Sequence, residues 1–226
     1  MQMSKNFDFM RLVDQPIYAM DFQFMIGDVR DFLEYSENNL DRQYRDKIKN
    51  IRLHAERDDF PDTYQEHLEA NAEHRFKVSL PLRVRYSAVV ALTTSVEWSV
   101  DILARELRSE LSSAPKYQNK TVHRLRELLK RAGDDSISVV GNYEDIIRVR
   151  NCIVHSSGIV EHDEKHEQVR SAVERLHGFE IDNWNFLGNH VCIERGALNP
   201  YVEQMGNLVV ALYKTAHERG LLRNDT

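Results

Sequence analysis

"VRYSAVVALTTSVEWSVDILARELRSEL", residues 84–111, decides the fold class. Val89, Val96, Val100, Leu103 and Leu107 recur at helical spacing, so this stretch reads as the central helix of an apolar core. The chain around it suits helices. Apolar residues make up 42% of the 226, against only nine glycines and five prolines, and Leu, Arg, Glu and Ala are abundant. That length is enough for one good-sized domain, or for one domain with an extension.

Upstream, residues 16–57 read as one long helix or a broken pair, with Pro16 in its first turn. Ile17, Met20, Phe24, Leu33, Leu40, Tyr44, Ile48 and Ile51 are its recurring apolar positions. "RDDFPD" (57–62) breaks it, and Pro61 opens a polar helix over 62–78. Pro81 marks the next boundary. Downstream, "NKTVHRLRELLKRAG" (119–133) is a short amphipathic helix stopped by Gly133, with Val122, Leu125, Leu128 and Leu129 inward. Further helices follow at about 142–155 and 163–177. In "HGFEIDNWNFLGNHVCIERG" (177–196), Phe179 and Ile181, then Val191 and Ile193, alternate with other residues around a turn-rich stretch, which reads as a small β-hairpin. A last helix covers 197–219. The expected architecture is all-α, about seven helices with one hairpin near the C-terminus. Residues 1–79 are expected to form a helical N-terminal extension on an 80–226 domain.

The net charge of −6 argues against a protein that coats nucleic acid in general, though a local basic site is compatible with it. Cys152 and Cys192 lack metal-type spacing and suit reduced thiols in a cytoplasmic protein. The sequence shows neither a signal-peptide core nor an apolar run of about 18 uncharged residues, so no membrane association is expected.

One stretch resists a purely structural reading: "IIRVRNCIVHSSG", residues 146–158. On a helical wheel, Tyr143, Ile146, Ile147, Val149, Ile153 and Val154 spread over one apolar arc, and Arg150 lands near its middle. An unpaired buried guanidinium costs several kcal/mol, so Arg150 needs an anion or a cleft. Glu97, bordering the apolar arc of the central helix, is the internal candidate. The two then form a buried pair, or they line a cleft in which Arg150 meets a phosphate. His155 and Arg150 stand about 140° apart on an ideal wheel, with Asn151 at the border of the arc.

"RNCIVH" (150–155) resembles the R-x(4–6)-H signature of HEPN domains, with Asn151 directly after the arginine. "LPLRVRYSAVVALTTSVEW" (80–98) resembles an early core helix of bacterial members. The resemblance covers roughly residues 80–220. It implies a helical bundle that dimerises so that two motifs meet across a groove. It also implies a metal-independent endoribonuclease of phage-defence or toxin–antitoxin systems, needing no cofactor, with an antitoxin or defence partner. Family members that have lost activity bind nucleotides, RNA or proteins instead.

The chemistry suits those residue types. Imidazole titrates near neutrality, so His155 can serve as acid or base. A guanidinium grips phosphate with a planar fork, which makes Arg150 the oxyanion stabiliser. Asn151 can bond a phosphate or orient the histidine, and Glu97 can fix the rotamer of Arg150. For substrate binding, residues 111–132 hold Lys116, Lys120, Arg124, Arg126, Lys130 and Arg131 against one acid, Glu127. Lys120, Arg124 and Arg148 are the candidate RNA contacts; a solvated helix face explains the same basic window. "HDEKH" (162–166) has the i, i+4 histidine spacing that can bind zinc, but no third ligand is apparent and a solvated face is expected. Cys152 is expected to be a packing residue, and Trp98 and Trp184 likewise.

Overall fold

The computed structural model describes residues 17–58, 60–107, 109–113, 118–133, 137–183 and 187–222. Two long helices frame it. Helix α1 (Ile17–Asp58) runs unbroken for 42 residues, about 63 Å. After the turn at Pro61, α2 (Asp62–Glu73), a π-helical segment (His74–Ser79) and α3 (Leu80–Glu106) continue one another without a break. The two arms are antiparallel: Arg52 meets Glu69, Asp41 meets Lys77 and Glu37 meets Arg85, one arm ascending as the other descends.

Pro81 therefore widens the helix instead of ending it. Proline has no N–H to donate, and its ring crowds the carbonyl four residues back, at Lys77. The preceding turn relaxes to wider hydrogen bonds, and the Leu80 N–H reaches five residues back to the Arg75 carbonyl. The division expected between residues 79 and 80 thus falls inside a continuous helix. Phe22, Ile26, Val29 and Leu33 of α1 belong to the same apolar core as Val89, Leu92, Val96 and Val100 of α3.

The other elements close around α3. Helix α4 (Lys120–Ala132) starts where the Asn119 side chain accepts from the Thr121 and Val122 N–H groups, and stops at Gly133 in a left-handed conformation. It buries the four expected residues, Val122, Leu125, Leu128 and Leu129. Helix α5 (Ile137–Ser156) follows, starting some five residues earlier than the sequence suggests. A 3₁₀ turn (Val160–His162), α6 (His166–Arg175), the hairpin β1 (Phe179–Asp182) and β2 (His190–Ile193), and α7 (Asn199–Glu218) complete the chain. In the antiparallel hairpin Phe179 faces Ile193 and Ile181 faces Val191, the four residues that carried the alternation. The architecture is all-α with one small C-terminal hairpin. One window of the 62–106 helix is apolar and long enough to cross a membrane by composition, and half of it is buried in the bundle, as in a core helix.

Candidate functional site

The arginine of the motif sits at the seam between α3 and α5. These helices are antiparallel: the Tyr143 hydroxyl near the start of α5 donates to the Thr93 carbonyl (3.3 Å), and Gly158, just past its end, lies against Tyr86. Tyr143, Ile146, Ile147, Val149 and Ile153 are buried as the wheel requires. Val154, assigned to the same arc, is 48% exposed. Arg150 is half-buried. The arc is sealed at residues 143 and 147 and opens one turn later at 150 and 154.

Arg150 is incompletely satisfied. One terminal nitrogen, Nη1, donates to the Asn151 Oδ1 (3.0 Å). Its Nε is fully buried without a hydrogen-bond partner, the one such side-chain atom among the described residues. The pair with Glu97 does not form, since no hydrogen bond or ion pair joins the two side chains. Both charges act instead on the phenol of Tyr143. Its pKa is pushed up by burial first and by Glu97 second, and is held down by Arg150. Glu97 is a charged neighbour of the seam, and its expected role as a clamp on Arg150 is not seen in this arrangement.

His155 is exposed on the last turn of α5. With the wheel separation of about 140°, the protomer does not bring it beside Arg150. Asn151, half-buried, is joined to the arginine. The site within one chain is thus Arg150 with Asn151, and the histidine occupies another face of the same helix.

The basic window is largely spent inside the fold. Arg124 pairs with Asp101, Arg126 with Glu144 and Arg131 with Glu127. Arg131 also donates to the Ser109 and Glu110 carbonyls, tying α4 to the loop after α3. Arg148 pairs with Glu144 and Asp145. Lys120 remains exposed at the start of α4. Lys116 and Trp184 lie outside the described residues.

The remaining signals resolve in ordinary ways. His162 and His166 belong to no cluster able to hold a metal among the described residues. Cys152 is fully buried and burial pushes its thiol up to about 12, so it packs and does not attack. Trp98 packs edge-to-face with Phe22 (ring centroids 5.5 Å, 74°) yet stays 50% exposed.

Sequence reasoning missed two features here. Asp145 is a buried carboxylate that accepts from both Arg148 and Arg175, joining α5 to α6. An acid three residues before an arginine was its only signal. The second is the lock on the end of α5. Gly158 has φ +80°, and a Cβ there would fall 2.1 Å from the Tyr86 Oη. That hydroxyl donates to the Val191 carbonyl (2.6 Å), and the Val191 N–H donates to the Gly158 carbonyl (2.9 Å). The helix carrying the motif is therefore clamped between α3 and the hairpin.

Neither a family model, nor a curated protein, nor a solved structure matches the chain.

Proposed function

We propose that this protein is a metal-independent endoribonuclease of HEPN type, acting as a homodimer in phage defence or toxin–antitoxin growth control. The observation that carries the proposal is the guanidinium of Arg150. It is half-buried, bonded to Asn151, unpaired with Glu97 and left with an orphan buried Nε. A structural arginine in such a seam is expected to hold a carboxylate. One that serves an anionic substrate keeps its donors uncommitted until the substrate binds.

In this reading the 2′-oxygen of a ribose attacks the adjacent phosphorus and the bond to the 5′-oxygen breaks. One histidine takes the 2′ proton and a second protonates the leaving 5′-oxygen. Arg150 and Asn151 hold the non-bridging oxygens as charge builds on them. Each chain supplies one motif histidine, and it lies away from Arg150 on α5. A second copy must therefore bring its own His155 toward the first copy's arginine.

The separation of His155 from Arg150 favours a second reading, a catalytically inactive HEPN module that binds RNA or a protein partner through the arginine. Incubating the purified chain with single-stranded RNA and EDTA distinguishes them. The nuclease yields fragments ending in 2′,3′-cyclic phosphate, abolished by His155→Ala. Cleavage by His155→Ala at the wild-type rate overturns the catalytic assignment, and RNA binding without cleavage by the wild type selects the inactive module.

A further inference from the structure

RNA binding needs cations free to meet phosphates, yet Arg124 and Arg148 give their charge to Asp101, Glu144 and Asp145. Arg83, on α3, is differently placed. It is exposed, and its side chain makes no hydrogen bond or ion pair among the described residues. Its guanidinium carbon lies 5.9 Å from the centre of the Tyr86 ring, an arrangement that orients the cation while leaving its N–H edges unused.

The Tyr86 ring is itself fixed. It is buried, it touches Gly158, and its hydroxyl is bonded to the Val191 carbonyl. Gly158 closes the helix three residues after His155. A single aromatic ring thus separates the head of Arg83 from the end of the helix that presents the motif histidine. Arginine pre-oriented on an aromatic face loses less freedom on meeting a phosphate than a loose surface lysine does.

We infer that Arg83 is a phosphate-binding residue that holds the RNA backbone at the His155 end of α5. The inference rests on the RNA-directed function proposed above. It adds a contact outside both the basic window and the motif.

The test uses the full-length chain carrying His155→Ala, which blocks turnover, and a fluorescein-labelled single-stranded RNA titrated at several salt concentrations. Adding Arg83→Gln weakens binding several-fold and lowers the slope of log Kd against log salt by about 1. Adding Arg52→Gln, which removes a cation paired with Glu69 far along α1, leaves that slope unchanged. Equal melting temperatures show that the variants are folded, as the exposure of Arg83 leads one to expect. If the parent binds RNA and Arg83→Gln binds with the same affinity and slope, the inference fails while the RNA-directed reading stands. If the parent binds no RNA at any salt, both fall together.

Discussion

Arg150 carries a cost that the fold does not recover internally. A buried donor without a partner costs about 1–3 kcal/mol, and Nε is such a donor. Replacing it with an unbranched apolar side chain of similar length removes that cost. Arg150→Met should hold or raise the melting temperature, measured by circular dichroism, while abolishing RNA cleavage or binding. A fall of many degrees would instead show the arginine to be a structural tie. Retained folding with lost function is the pattern of a residue kept for its ligand.

At the scale of elements, the end of α5 is the most constrained point near the motif. Ser157 and Gly158 both have positive φ, and Gly158 is pressed against Tyr86. Gly158→Ala adds a Cβ well inside van der Waals contact distance of the Tyr86 hydroxyl, in a backbone conformation that L-residues rarely adopt. The expected loss is at least about 2 kcal/mol, several degrees in melting temperature for a chain of this size. An unchanged denaturant midpoint would contradict the clamp. Helix α4 offers a milder case. Asn119 accepts from two backbone N–H groups at its start, so Asn119→Ala should cost about 1 kcal/mol by urea unfolding. Arg124 pairs with Asp101 of α3 and Arg126 with Glu144 of α5, so α4 braces α3 against α5, while Arg131 holds the loop after α3 through the Ser109 and Glu110 carbonyls.

Over the whole molecule, α1 is tied to the opposite arm and to the turn after β2 by one network. Arg85 and Arg195 share Glu37, while Lys77 and Arg195 share Asp41. Hydrogen bonds from Lys77 and then Arg195 lower the Asp41 carboxyl to about 2. A folded-state pKa below the unfolded value stabilises the fold above about 4, and that stabilisation disappears as pH falls through about 2. Asp41→Asn should therefore melt below wild type at pH 6, and the gap should narrow between pH 4 and pH 2. A gap independent of pH would exclude the ionic origin.

Sequence by itself determined the helices and the hairpin, because the apolar spacing that makes a helix or strand worth burying is written residue by residue. Val122, Leu125, Leu128 and Leu129 on α4, and the alternation of Phe179 and Ile181 with Val191 and Ile193 in the hairpin, were legible for that reason. Local sequence also marked Arg150 as out of place. It did not reveal that Pro81 would be absorbed by a wider turn, that Arg150 would bond Asn151 and not Glu97, or that Arg124 and Arg148 would be neutralised by acids. Those outcomes depend on which side chains meet across helices far apart in the chain. A guanidinium takes whichever carboxylate the packing brings within about 3 Å, and only the tertiary structure sets that distance.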